Sequence, residues 1–206
     1  LIVVETPAAG YRVPFVESEG LRYDVSATLG EPGASRAKMR EDDLNFHLRL
    51  PPLDPQVMAL AQRITAGAKN DYERARAIEH YLRNGFRYSL QPLEHEVDDP
   101  LAHFLFVSKK GHCEYFASAM GVLLRAVWVP SRVATGFQSG TFNPLSGWHV
   151  VRASDAHSWV EAWVPGEGWL TFDPTPSDPG CGAVTSLSRL AIWADAASVF
   201  WQEWVL

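Results

Sequence analysis

The chain has 206 residues, 47% of them hydrophobic and 20% charged, which is enough apolar material for one substantial core. A formal net charge of −6 argues against nucleic acid or anionic lipid as the main partner. There is no apolar run of about 18 residues or more, so nothing in this sequence is expected to span a bilayer. The sequence opens abruptly at Leu1-Ile2-Val3-Val4, with neither an initiating methionine nor a signal-peptide pattern. It reads as a domain excised from a larger protein.

Residues 11–50 read as short strands, clearest over 21–29, joined by a Gly/Pro/Ser stretch at 30–35. Residues 1–50 are therefore expected to form a β-rich extension packed on the following core. Pro51, Pro52 and Pro55 punctuate the junction to a helix over 54–66. Asn70 with Glu73 has the spacing of a capping box for the next helix. Ala75, Ile78 and Leu82 line its inner face, and Gly85 suits its C-cap. Residues 86–90 read as a short extended piece leading to an acidic loop at 94–99, and 100–107 approach the central helix.

That helix follows Gly111-His112-Cys113-Glu114-Tyr115-Phe116-Ala117. Phe116, Met120, Leu123, Leu124 and Val127 form its buried stripe, and Pro130 stops it. Gly111 permits a sharp entry, which puts Cys113 in the first turn. There the unpaired N–H groups and the positive end of the helix dipole favour a thiolate.

Residues 154–163 alternate as a strand, Pro165-Gly166-Glu167-Gly168 turns, and residues 169–173 return. A three-residue loop with Gly168 as a bulge would set Trp163 opposite Trp169 and Trp159 opposite Asp173. His157 and Asp173 then share a face as diagonal neighbours. A loop of two or four residues would put them on opposite faces. Pro174 and Pro176 end the strand and leave Asp173 at its tip. In chain order the candidate catalytic residues are Cys113 as nucleophile, His157 as base and Asp173 as orienter.

These segments resemble the transglutaminase-like superfamily. The resemblance is carried by the Gly111–Ala117 motif residues, by Arg125-Ala126 and by Val129-Pro130-Ser131-Arg132-Val133-Ala134-Thr135-Gly136-Phe137. Asp155-Ala156-His157-Ser158-Trp159-Val160-Glu161-Ala162-Trp163 and Gly168-Trp169-Leu170-Thr171-Phe172-Asp173-Pro174-Thr175-Pro176 continue it. Within the superfamily, the sequence is most similar to bacterial membrane-anchored proteins with an extracytoplasmic catalytic domain. The resemblance implies an α+β, papain-like core over residues 51–180, with the cysteine helix packed on an antiparallel sheet carrying His and Asp. It also implies a periplasmic or cell-surface location, with membrane attachment only through segments outside this sequence. Trp128 departs from the family's usual glycine, so the end of the helix is expected to differ there.

Residues 181–206 read as a loop and an amphipathic helix with a stripe at Leu187, Leu190, Trp193, Ala197, Phe200, Trp201 and Trp204. Docking on its own domain is preferred to a membrane interface, because Asp195 and Glu203 oppose attraction to anionic lipid. The default readings of the remaining candidates are structural. His103, His112 and His149 read as packing or surface residues, and Glu161 and Arg132 as structural. Trp148, Trp159, Trp163 and Trp169 read as core or cleft wall. A Cys113–Cys181 disulfide in an oxidising compartment is the alternative that would silence the nucleophile. No metal or cofactor is expected: zinc-ligand clustering is lacking, and no EF-hand spacing indicates calcium.

The resemblance implies acyl transfer from a glutamine carboxamide of a protein or peptide, through a thioester, to an amine such as lysine. Water as acceptor would make the same triad a protease, amidase or deamidase. A non-catalytic extracytoplasmic binding module is the third reading, opposed by the intact triad. The backbone N–H of Cys113 is a natural oxyanion donor, with Tyr88 and Gln91 as candidates for the second.

Overall fold

The computed structural model describes residues 4–5, 11–12, 39–91, 97–138, 140–145 and 147–176. Residues 1–31 form a unit of their own, in which strands β1 (Val4–Glu5) and β2 (Tyr11–Arg12) pair antiparallel. The strand expected over 21–29, the loop around Cys181 and the C-terminal helix lie outside the described residues.

The second unit spans residues 32–206. It opens with a correction, since the short strands expected up to residue 50 give way to a helix, α1 (Glu41–His47). Three acidic residues, Glu41, Asp42 and Asp43, occupy its first turn, where the helix dipole favours negative charge. None of its residues is buried, so it lacks the apolar stripe by which a helix announces itself in sequence.

Helix α2 (Pro55–Thr65) starts as the sequence suggests: the Asp54 side chain accepts from Gln56 N–H at 2.8 Å, and Pro55 sits at the first helical position. Helix α3 (Asp71–Gly85) is capped by Asn70, whose Oδ1 accepts from Glu73 N–H at 2.8 Å. Glu73 reaches back one residue further than a capping box requires, to Lys69 N–H at 2.7 Å. Gly85 is the last helical residue, and the chain leaves through an extended Phe86 (φ −132°) rather than through a left-handed glycine cap.

After β3 (Arg87–Tyr88), a short helical turn α4 (Pro100–Ala102) runs into a π-helical turn over His103–Ser108. Then β4 (Lys110–Gly111) pairs in parallel with β3, and α5 (Cys113–Ala126) begins. Strands β5 (Ser131–Phe137), β8 (Ala156–Val164) and β9 (Gly168–Phe172) form an antiparallel sheet in the order β5-β8-β9. Between them, β6 (Thr141–Asn143) and β7 (Trp148–Val150) make a separate antiparallel pair.

The core lies between α2, α3, α5 and one face of this sheet. Leu60, Ile78, Leu82, Phe104, Phe116, Met120, Leu123, Leu124 and Val160 are buried there almost completely. Strand β8 alternates strictly, with Ser158, Val160, Ala162 and Val164 buried and His157, Trp159, Glu161 and Trp163 half-buried on the other face. On that second face Arg132 pairs with Glu161 at 2.6 Å and lies over the Trp169 ring, and His47 of α1 packs edge-on against Trp169. Arg132 and Glu161 are thus structural partners.

The end of α5 does not differ in the way that Trp128 suggests. Val129 N–H bonds Leu124 O at 2.9 Å and Trp128 N–H bonds Arg125 O at 3.1 Å, the two bonds of a Schellman motif. Trp128 itself takes the left-handed conformation (φ +65°) that a glycine would take more easily.

Candidate active site

Cys113 is the first residue of α5, after an extended His112 (φ −92°, ψ 178°) whose carbonyl accepts from Tyr115 N–H at 3.0 Å. Its surface is 9% exposed, at the edge of burial. The first N–H groups of a helix lack the partners that later turns supply, and with the positive end of the helix dipole they favour a negative charge beside Cys113. Gly111 works differently from the sharp entry expected of it. It is paired strand, and a Cβ there would stand 3.0 Å from the Tyr115 side chain, so the glycine makes room for that ring. The same pairing sets Tyr88 opposite Gly111, two residues before the cysteine, while Gln91 is exposed.

His157 and Asp173 come from the β8–β9 hairpin. Val164 pairs with Gly168 and Trp163 with Trp169, so the loop holds three residues. Gly166 (φ +86°) and Gly168 (φ +88°) supply the left-handed conformations of the turn, and Glu167 N–H closes it on Val164 O at 3.0 Å. This is the register read from the sequence. The ladder ends at Val160–Phe172, and Asp173 follows at the strand tip. His157 Nε2 and Asp173 Oδ2 lie 2.8 Å apart, with the imidazole 12% and the carboxylate side chain 43% exposed. Asp173 Oδ1 accepts from Thr175 N–H at 3.0 Å.

Helix α5 leads through the short turn at Pro130 into β5, and Gly121 sits against the start of that strand. Ser131 Oγ donates to Gly121 O at 3.0 Å, and a Cβ on Gly121 would be 3.6 Å from Val133 Cγ2. From Gly121 back to Cys113 is about 12 Å of helix. From Val133 on to Gly136, the partner of His157, is about 10 Å of strand. His157 and Asp173 are in direct contact, while Cys113 opens the helix that packs on the Val160 and Ala162 face of the sheet.

Two residues that sequence reasoning missed belong to this region. Glu79 of α3 is 6% exposed, and its Oε1 accepts from the Asp173 backbone N–H at 3.0 Å. The available signal was a carboxylate inside the apolar stripe of Ala75, Ile78 and Leu82. Gly136 is the second: a Cβ there would meet Trp159 Cη2 at 2.8 Å, and the Trp159 ring stacks beside His157 at 6.4 Å. Of the other histidines, His112 packs edge-on against Tyr115 at 4.9 Å, and His149 contacts Phe142 at 5.2 Å. His103 lies in the π-helical turn. Among the described residues no group of three or more His, Cys, Asp or Glu side chains is arranged to hold a metal ion.

A helix that starts on cysteine, packed on an antiparallel sheet whose β8–β9 hairpin carries a His–Asp pair, defines a papain-like architecture. The family model of the transglutaminase-like superfamily matches residues 58–174, and the chain belongs to that superfamily. A protein-glutamine gamma-glutamyltransferase of Pseudomonas aeruginosa is 37% identical over 123 residues, 59% of this chain and 18% of the relative. The uncharacterized protein YebA of Bacillus subtilis is 36% identical over 137 residues, 63% of this chain and 19% of the relative. The crystal structure of the periplasmic domain of TgpA from P. aeruginosa superimposes with a TM-score of 0.61 at 33% identity, covering 66% of this chain and 48% of that one. The chain spans less than a fifth of the length of either curated relative. Among the described residues no helix is long and apolar enough to cross a membrane.

Proposed function

We propose that this domain is a cysteine acyltransferase that takes the acyl group of a glutamine carboxamide through a thioester and passes it to a primary amine. The observation that carries the reading is the 2.8 Å contact between His157 Nε2 and Asp173 Oδ2, in a domain whose central helix opens on a cysteine. With Nε2–H donated to Asp173, Nδ1 carries the lone pair that takes the thiol proton. The carboxylate holds that tautomer and stabilises the imidazolium once formed.

The Cys113 thiolate attacks the carboxamide carbon, and its own backbone N–H, free at the helix start, donates to the developing oxyanion. The C–N bond breaks, ammonia leaves with the proton from His157, and a thioester remains. An amine then attacks the thioester; His157 takes its proton and the thiolate is released. Water in place of the amine gives hydrolysis by the same residues. The similarity to a protein-glutamine gamma-glutamyltransferase favours the amine. That to a periplasmic domain supports an extracytoplasmic location, with protein or peptide donors reached outside the membrane.

The test is incorporation of a labelled primary amine into a glutamine-containing protein. Wild type should incorporate label and Cys113→Ala should not. Asp173→Asn should fold normally and lose about 10²-fold or more of turnover. Ammonia release without label would replace transfer with hydrolysis. No Cys113-dependent turnover of any acyl donor would sink the enzyme reading.

A further inference from the structure

Glu79 is out of place by the logic of its own helix. Ala75, Ile78 and Leu82 are fully buried on the inner face of α3, and Glu79 sits among them with 6% of its surface exposed. A carboxylate persists in such a stripe only where its oxygens are used. Both are: Oε2 pairs with Arg76, and Oε1 accepts the Asp173 backbone N–H at 3.0 Å. Arg76 is largely solvent-exposed, so holding Arg76 would not require burying the acid, whereas reaching Asp173 does.

The point it reaches is where the sheet stops holding the chain. The ladder between β8 and β9 ends at Val160–Phe172, so Asp173 lies beyond the last paired residue. Pro174 follows, and it has no N–H to anchor the next step. Asp173 is nonetheless fixed at three points: its N–H by Glu79, Oδ1 by Thr175 N–H, and Oδ2 against His157 Nε2.

We propose that Glu79 is a positioning residue for the His157–Asp173 pair: by gripping the Asp173 backbone from α3 where the ladder ends, it sets the direction in which Oδ2 meets the imidazole. The inference rests on the acyl-transfer reading above. What the site needs from Glu79 is an acceptor at the right reach, and its charge is secondary.

Glu79→Gln and Glu79→Asp separate these two properties in the folded protein. Gln keeps an acceptor oxygen at the same reach without charge, whereas Asp keeps the charge one methylene short. In the labelled-amine assay Gln should stay close to wild type. Asp should lose on the order of 10- to 100-fold in kcat with the KM for the amine little changed. Without turnover, proton NMR of the His157 ring N–H should show the hydrogen-bonded signal in wild type and Gln, broadened or lost in Asp. Active Asp with inactive Gln would overturn the acceptor role in favour of charge. An Asp variant with unchanged kcat and an intact His157 signal would overturn the inference altogether. A wild type without Cys113-dependent turnover would defeat the acyl-transfer reading instead, and the NMR comparison would still decide the contact.

Discussion

Trp128 holds a backbone conformation that costs a bulky L-residue roughly 1–2 kcal/mol. It does so without packing in return, since 77% of it is exposed. The Schellman bonds around it, and the burial of Val129 and Leu124 that accompanies them, over-determine the turn and carry the strain. Trp128→Gly should therefore stabilise the protein by about 0.5–1 kcal/mol after the added freedom of the unfolded chain is counted. Urea denaturation of the two proteins checks the sign: a less stable glycine variant would mean that the indole makes a contact worth more than the strain. The helix stop itself was legible, because Pro130 and the end of the apolar stripe mark it. That the turn survives an unfavourable residue was not, because its bonds are between backbone groups and depend little on the side chain.

At the scale of elements, the β8–β9 hairpin and α5 carry the candidate site, and both were readable for the same reason. Each has a strong local period, and each has turn or cap residues at fixed offsets from it. Helix α1 was not readable: its seven residues bury nothing completely, so the tertiary contact of His47 with Trp169 decides what the local pattern leaves open. Glu79 was passed over because the stripe around it explains α3 without it, and its partner lies 94 residues away. Gly136 was likewise silent, since a glycine in a strand does not say which neighbour needs the space. Trp159 does, and a methyl group 2.8 Å from its rigid ring has nowhere to go. Gly136→Ala should cost about 1–3 kcal/mol and reduce turnover by moving the ring stacked beside His157. Thermal melts and the amine assay together test this; an alanine variant of wild-type stability and activity would show that the ring has room to shift.

Across the molecule, the sheet has helices α2, α3 and α5 on one face, while His47 of α1 meets the other through Trp169. Burial holds the His47 pKa below its ordinary value of 6.5, and the charges of Arg132 and Arg125 push the same way. The unfolded chain therefore binds a proton at His47 at a higher pH than the folded one. Stability from this group is complete above 6.5 and is lost as pH falls below it toward the lowered folded value. Melting temperatures at pH 7.5 and 5.5 should fall more in wild type than in His47→Gln. Equal falls in both would remove His47 from the acid sensitivity of the fold.

The three-residue loop at Pro165, Gly166 and Glu167 also changes what this protein can tolerate. Exposed turns usually absorb insertions at little cost, because the chain on either side repairs its own contacts. Here the number of residues in the turn is odd, and that parity is what puts acid and imidazole on one side of the sheet. One added residue is harmless only if the turn grows to four and the ladder holds; if a three-residue turn re-forms, β9 slips by one and carries Phe172 and Asp173 together to the opposite face. The length of a solvent-facing tip at one end of the hairpin thus governs whether acid and imidazole meet at the other.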